Sequence, residues 1–162
     1  MSDAHVSTTA IHRLVQRCRA GDYPPLVTKV GSGWVVMGER QAFPGYCLLL
    51  PDPVVDHLNV LEAAARARFL ADMSVTGDAV LACTGAVRIN YAMFGNAEPA
   101  LHAHVIPRRS DEPPGVRNTN PWAIDWNTAA QYSEAEHGEL KRRIAAHVGK
   151  GAREPDERGG GG

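Results

Sequence analysis

The stretch that decides the fold of this 162-residue chain is Ala100-Leu101-His102-Ala103-His104-Val105-Ile106-Pro107-Arg108. Apolar residues dominate it and a proline stands near its end, which predicts a β-strand over 101–107. Side chains two residues apart in a strand project from the same face, about 6 to 7 Å apart. The stretch therefore predicts a strand on which His102 and His104 can address one ligand.

Two kinds of chemistry suit this pair of histidines. They can be two ligands of a metal ion, or one can act as a nucleophile while the other stabilises a phosphate. A metal site needs at least a third protein ligand, and sequence alone does not place the nearest acids, Glu98, Asp111 and Glu112, well for that role. An isolated His-x-His also arises when one histidine faces the core and hydrogen-bonds a carbonyl. The flanking sequence has to decide among these hypotheses.

The flanking segments predict an α+β domain. Besides the histidine strand, short apolar or β-favouring runs predict strands at 34–37, 46–50 and 86–94. Helical spacing and caps predict helices at 9–19, over most of 54–83, and at 133–148, the last opened by a Ser133 and Glu136 capping box. We therefore expect one domain, residues 1–148, in which a long helix and a C-terminal helix cover an antiparallel sheet. The charged tail, 149–162, ends in four glycines and is expected to be disordered.

Composition restricts the partners and the compartment. The 17 Lys and Arg residues against 18 Asp and Glu give a net charge of −1, which argues against a protein that coats nucleic-acid phosphates with positive charge. The polar N-terminus is not a secretory signal, and no apolar run approaches the ~18 residues of a membrane span. Three widely separated cysteines, Cys18, Cys47 and Cys83, are typical of buried thiols in a reducing compartment. We expect a cytoplasmic protein with neither nucleic acid nor membrane as partner.

Two segments carry a resemblance to a known family. The segment from Ile89 to Arg109 resembles the signature of the histidine triad (HIT) family of nucleotide hydrolases and transferases, which alternates three histidines with apolar residues and often continues into Pro-Arg. The segment from Gln41 to Pro51 resembles the strand, turn and strand that lie beneath the family's base pocket. With the helix between them, the resemblance covers a core region, 33–109, and is nearest in type to bacterial diadenosine tetraphosphate hydrolase-like proteins.

The resemblance implies a covalent mechanism. His102 takes the position of the family's nucleophile, which attacks the α-phosphorus of a nucleoside phosphate and forms a nucleotidyl-histidine. His104 takes the position of the third histidine of the triad. Together with the Asn96 side chain and the backbone amides after Gly95, His104 is of the right type to meet the negative charge on phosphate oxygens. No cofactor is required, although magnesium carried in by a polyphosphate substrate is compatible with this chemistry.

Several weaker assignments follow from the same resemblance. Asn90 matches a position that contacts the nucleotide side of the site, and Glu39 lies near where an acidic or amide side chain holds the ribose hydroxyls. Trp122 and Trp126 are candidates for a pocket wall, although aromatic residues in such a loop also anchor it to the body of the domain. The family pairs two domains, so the resemblance also predicts a homodimer.

The chain departs from the family pattern at Ala100, where the family usually has its first triad histidine. Because that histidine lies outside the bond-making step, the chemistry stays feasible. Three functions therefore stay open. The first is a hydrolase or transferase acting on a nucleoside phosphoanhydride or phosphoramidate, such as a dinucleoside polyphosphate. The second is a nucleotide-binding protein without catalysis, and the third is a metal-dependent enzyme that uses His102 and His104 as ligands.

Overall fold

The computed structural model describes residues 8–151. The helices and strands follow in the order α1 (Ala10–Ala20), β1 (Leu26–Val30), β2 (Gly33–Met37), β3 (Cys47–Pro51), α2 (Ala63–Thr84), β4 (Arg88–Ala92), β5 (Ala103–Arg108), α3 (Pro114–Arg117) and α4 (Glu134–Gly151). Single 3-10 turns occur at Leu58–Val60, Pro121–Ala123 and Trp126–Thr128.

The five strands form one antiparallel sheet in the order β1-β2-β3-β5-β4. Helices α2 and α4 cover one face, where Phe69, Leu49, Val105 and Ile144 are fully buried in the main core. The opposite face carries the histidines, because Leu48 of β3 pairs with His104 of β5. This confirms the predicted α+β class, with its long covering helix and C-terminal helix.

Helix α1 packs on the face that carries the histidines. Ile11, Val15 and Cys18 recur at steps of four and three residues, so they lie on one side of the helix, and all three are buried. They form a second apolar cluster with Leu50 and with Ala100, which is only 1% exposed. Ala100 therefore fills a packed position beneath α1.

The segment before the histidine strand is also tied to the start of α1. The Glu98 carboxylate accepts hydrogen bonds from the backbone amides of Ala10 and Ile11, at 3.3 and 3.4 Å. An anion is favourable there because the first amides of a helix have no partner within the helix. Burial opposes ionisation of Glu98, but bonds from Thr9, Ile11 and Ala10 and the nearby His102 hold its pKa below the usual value.

The predicted boundaries differ from the observed ones at both sheet edges and in the long helix. Strand β1 was not predicted, although its Val27, Thr28 and Val30 are β-branched residues that favour a strand. The long helix begins at Ala63, at a run of alanines with high helix propensity, and not near Val54. The segment before it is a loop with one 3-10 turn whose leucines pack against the core, which explains the misleading helical spacing.

The ends of β5 and α4 also differ from the prediction. Pro107 lies inside β5, paired with Ile89 of β4, and does not end the strand. Pairing with β3 stops at Val105, so the later residues of β5 have a neighbouring strand on one side only, where proline is tolerated. Helix α4 continues to Gly151, three residues past the predicted end, so the tail predicted as disordered begins within it. The rest of that tail, 152–162, lies outside the described residues.

The capping box at the start of α4 forms only in part. The Ser133 hydroxyl accepts a hydrogen bond from the Glu136 amide at 3.3 Å, as the capping box requires. The Ser133 amide, however, donates to Nδ1 of His137 at 3.0 Å, so histidine takes the place predicted for the Glu136 side chain. The predicted cap is thus correct in position and different in its second partner.

Two further observations concern the cysteines and the helices. Cys18, Cys47 and Cys83 are all free and buried, as predicted. Among residues 8–151, no helix combines the length and apolarity that crossing a membrane would require.

We predict that Ala100→His destabilises the protein. The larger ring overpacks the cluster under α1, so the free energy of unfolding should fall by about 1 to 3 kcal/mol. Denaturant unfolding measures this change, with Ala97→His, at an exposed position of the same loop, as the matched control. Equal stability of the two variants would contradict the packing described here.

Candidate functional site

Strand β5 and the residue before it bring the two predicted histidines together. The ring centroids of His102 and His104 lie 4.9 Å apart, with an angle of 73° between the ring planes. His102 is 8% exposed and His104 is half-buried, so both rings are enclosed but not sealed in the core. The same-face geometry predicted from the spacing is therefore present.

His102 is oriented by its own backbone. Its Nδ1 atom lies 2.7 Å from the carbonyl oxygen of Ala100. A carbonyl can only accept, so Nδ1 carries the proton and, in the neutral ring, Nε2 carries the lone pair. The nitrogen with the lone pair makes no hydrogen bond within residues 8–151 and belongs to a side chain that lines a cavity.

His104 is held by aromatic residues. Its Nδ1 atom lies 2.6 Å from the hydroxyl of Tyr46, and Trp122 meets the ring edge-on at 5.0 Å. Phe94 packs at 6.2 Å between centroids. Burial, and to a smaller extent the neighbouring His102, lowers the pKa of His104 from 6.5 to about 4. His104 is therefore neutral at neutral pH.

One cavity is lined by His102, and a second is lined by Tyr46, the hydrogen-bond partner of His104. The first, which we call the His102 cavity, has a volume of about 260 Å³ and is lined by His102, Gly95, Phe94, His57 and neighbouring residues. The second, the Glu39 cavity, has about 510 Å³ and lies between α1 and the sheet. Its lining includes Glu39, Arg13, Arg17, Tyr46 and Trp126. Tyr46 connects the two regions, because its ring lines the Glu39 cavity while its hydroxyl contacts His104.

The other predicted site residues fall in different places. Gly95 lines the His102 cavity, whereas Asn96 is exposed beside it and is not part of the lining. Glu39 lines its own cavity and accepts a hydrogen bond from the Tyr23 hydroxyl at 3.1 Å. Asn90 lies in neither cavity, because its Oδ1 accepts a hydrogen bond from Arg108 at 2.9 Å at the far end of β5. The structure thus brings Gly95 to the histidine pair and leaves Asn90 apart from it.

Arg108 is a buried side chain with several hydrogen-bond partners. It is 7% exposed and forms a hydrogen-bonded ion pair with Glu112, with a shortest distance of 2.8 Å. It also donates to the backbone carbonyls of Val116, Arg117 and Thr119. Arg108 therefore fixes the loop that follows β5.

Sequence reasoning missed Tyr46 as a partner of His104. The two residues are 58 positions apart, and no local spacing relates them. The predicted strand 46–50 begins with Tyr46. The signal available in the sequence was therefore a polar aromatic residue at the start of an otherwise apolar strand. The sequence offered Trp122 and Trp126 as a pocket wall or as anchors of the loop, and the structure places Trp122 against His104 and Trp126 against Tyr46.

The hypothesis of a metal-dependent enzyme lacks a third metal ligand in the described part of the chain. Within residues 8–151, no group of three His, Cys, Asp or Glu side chains is arranged to hold a metal ion. Of the acids considered from the sequence, Glu98 binds the start of α1, and Asp111 and Glu112 pair with arginines.

Comparison with known proteins finds solved structures with a similar fold. No protein-family model matches the chain, and no curated protein matches it. Three similar solved structures are a histidine triad (HIT) protein from Sinorhizobium meliloti, a histidine triad protein from Marinobacter aquaeolei and a hypothetical histidine triad nucleotide-binding protein from Sulfolobus tokodaii.

The extent of each match supports that result. The Sinorhizobium protein has 23% identity and a TM-score of 0.66, over 75% of this chain and 87% of that one. The Marinobacter protein has 17% identity and a TM-score of 0.70, over 88% and 97%. The Sulfolobus protein has 12% identity and a TM-score of 0.68, over 92% and 99%. The chain therefore has the histidine triad fold, and the resemblance stated from the sequence is confirmed at that level.

We predict that His104 stays neutral down to about pH 4 because its ring is desolvated. Trp122→Ala should hydrate the ring and raise its pKa towards 6.5, as followed by NMR titration of the ring protons. Trp34→Ala, two strands away on β2, is the control and should leave the titration unchanged. A wild-type His104 that titrates near 6.5 would contradict burial as the cause.

Proposed function

We propose that this protein is a nucleotide hydrolase or nucleotidyltransferase that acts through a covalent nucleotidyl-histidine at His102. The substrate is a nucleoside phosphoanhydride or phosphoramidate, such as a dinucleoside polyphosphate. The observation that carries the proposal is the 2.7 Å contact between Nδ1 of His102 and the Ala100 carbonyl, because it leaves Nε2 with a lone pair beside a cavity. The histidine triad fold and the resemblance of the surrounding sequence support the same reaction.

The proposed reaction has two displacements at phosphorus. Nε2 of His102 attacks the α-phosphorus in line, a P–N bond forms, and the bond from phosphorus to the leaving group breaks. The ring becomes a cation while Nδ1 keeps its proton on the Ala100 carbonyl. Water or another acceptor then attacks the same phosphorus, the P–N bond breaks, and the neutral imidazole is restored. A hydrolytic turnover releases a nucleoside monophosphate.

His104 and Tyr46 stabilise the charge on the phosphate in this scheme. Tyr46 donates its hydroxyl proton to Nδ1 of His104, so the single proton of the neutral ring lies on Nε2. Burial raises the pKa of Tyr46, so the phenol keeps that proton at neutral pH. Nε2 of His104 then donates to a non-bridging oxygen, together with backbone amides after Gly95 and the nearby Asn96 side chain. No cofactor is required, and magnesium enters only with a polyphosphate substrate.

The Glu39 cavity is the proposed nucleoside site. Its volume of about 510 Å³ lies in the range of small-molecule pockets, and the rings of Tyr46 and Trp126 offer flat apolar surface to a base. The Glu39 carboxylate is the proposed partner of the ribose hydroxyls, as the resemblance implies. The leaving group then occupies the His102 cavity, so the α-phosphorus lies between the two cavities, next to the histidines.

The alanine at position 100 is compatible with catalysis. The atom that orients His102 is the main-chain oxygen of Ala100, and it is present whatever the side chain is. The departure from the family pattern therefore removes an imidazole without removing the hydrogen bond that sets the tautomer of the nucleophile. Ala100 is therefore no argument against an active enzyme.

A homodimer is proposed as the working form. Strand β4 is an edge of the sheet, and several apolar side chains on it or next to it are exposed, namely Val87, Tyr91, Met93 and Phe94. An uncovered edge of this kind favours pairing with a second copy. We propose the cytoplasm as its location, since its three buried free thiols suit a reducing compartment.

We predict that light scattering at micromolar concentration gives twice the mass of one chain. Tyr91→Lys should shift the protein towards monomer, because it places a charge on the exposed edge, whereas Lys29→Glu on the other edge strand should not. A wild-type protein that is entirely monomeric would refute the dimer.

We predict that His102→Ala lowers turnover by roughly a thousandfold or more while nucleotide binding is retained, since the substitution removes the nucleophile. The assay uses a dinucleoside polyphosphate as the substrate. Rapid quenching at neutral or alkaline pH, which preserves the acid-labile P–N bond, should reveal one nucleoside monophosphate on the peptide that contains His102.

His147→Ala is the matched control, because His147 is exposed on α4 and far along the chain from the site. This variant should retain both turnover and the adduct. Near-normal turnover of His102→Ala, or an adduct on His104, would show that the assigned roles are wrong.

A further inference from the structure

A third cavity, of about 450 Å³, lies at the end of β4 and β5 away from the histidines. We call it the arginine cavity, because its lining includes Arg88, Arg108, Arg109 and Arg117. The other lining residues are polar or small, namely Val87, Asn90, Ser110, Asn118 and Thr119. No carboxylate belongs to this lining, so the cavity combines four guanidinium groups with neutral side chains.

Two of these arginines are already neutralised. Arg108 is paired with Glu112, and Arg109 is paired with Asp111 at 2.8 Å. Arg109 also contacts the Thr84 carbonyl at 2.5 Å. These two side chains build the wall of the cavity and do not supply unbalanced charge.

The other two arginines, Arg88 and Arg117, form no ion pair within the described residues. Arg88 is exposed and forms no ion pair or hydrogen bond through its side chain within the described residues. Arg117 is also exposed, and the one side-chain hydrogen bond found for it in residues 8–151 runs from Nη1 to the Ser110 carbonyl at 3.1 Å. The cavity therefore carries two positive charges that no carboxylate of the described chain offsets.

Asn90 adds a neutral donor to the same cavity. Its Oδ1 accepts a hydrogen bond from Nη1 of Arg108 at 2.9 Å, which fixes the orientation of the amide. With the oxygen committed in this way, the Nδ2 amino group is left to donate elsewhere. Asn90, Arg88 and Arg117 thus present donors, and an anion is the acceptor that would also offset the two positive charges.

We propose that the arginine cavity is a second binding site, for a small polyphosphate anion. Guanidinium groups bind phosphate oxygens through paired, charge-assisted N–H donors, and two of them around one cavity match an anion with several phosphoryl groups. This assignment does not depend on the reaction proposed for His102, because it rests on different residues. It also gives Asn90 a role in anion binding at a place separate from the nucleotide.

The separation from the histidine pair follows from the strand. Arg108 is four residues beyond His104 on β5, which corresponds to about 13 Å. Between them lies Ile106, fully buried in an apolar cluster with Phe43 and with the partly buried Trp126. A phosphate chain that begins at His104 would have to cross this packed cluster, so the two sites take separate ligands.

The test uses inorganic tripolyphosphate as the probe in isothermal titration calorimetry at low ionic strength. The double variant Arg88→Gln with Arg117→Gln should weaken binding by about tenfold or more, and added salt should weaken binding to the wild-type protein. The matched control is Lys29→Gln with Arg142→Gln, which removes the same charge from exposed positions on β1 and α4. It should leave the affinity within about twofold of the wild type.

A second arm separates this cavity from the histidine site. In the double variant His102→Ala with His104→Ala, tripolyphosphate should still shift the amide NMR signals of Arg88, Asn90 and Arg117 with the affinity seen in the wild type, whether or not the probe also occupies the histidine site. Thermal melting of each variant checks that it is folded. Loss of these shifts in the histidine variant, or equal losses of affinity in both charge variants, would overturn the proposal, and so would the absence of these shifts in the wild-type protein. A variant that loses turnover but still binds tripolyphosphate would give information about the proposed reaction at His102 and not about the arginine cavity.

Discussion

The hydrogen bond from Nδ1 of His102 to the Ala100 carbonyl is the contact on which the candidate site depends. It joins a side chain to the backbone only two residues earlier, so its geometry follows from the local path of the chain. That path is fixed from both sides. Ala100 is packed under α1, and β5 begins directly after His102 in the middle of the sheet. The tautomer of one imidazole is thus determined by the packing of a helix against a sheet.

The two faces of the sheet differ in how they are covered. The face covered by α2 and α4 is closed by large apolar side chains and holds most of the core. The other face is covered in pieces, by α1 and by the loop that follows β5, and the Glu39 cavity lies between these pieces. The His102 cavity is lined by the loops before α2 and before β5. Antiparallel strands alternate their side chains between the two faces, so Ala103 and Val105 stabilise the core while His102 and His104 lie on the opposite face. One strand therefore contributes both to the core and to the candidate site.

The sequence was most informative where the determinants are local. The same-face histidines, the strand pair before the long helix and the start of α4 all follow from spacings of two to four residues. The sequence left the start of α2 open within 54–83, because leucines before Ala63 pack from a loop with the spacing of a helix. Edge strand β1 is half-buried and short, so it gave little periodic signal. Contacts between distant residues, such as Tyr46 with His104 and Glu98 with α1, depend on the assembled fold, and no window of sequence contains them.

The position of α1 has a consequence for how such a protein can diversify. Residues of this helix line the Glu39 cavity, and its first amides hold the loop that leads to His102. Side chains on the cavity side of the helix, such as Arg13 and Arg17, can change without altering either the amides or the apolar residues that pack beneath them. The first helix can therefore change the lining of the Glu39 cavity while the contacts that position His102, some ninety residues later in the chain, stay the same.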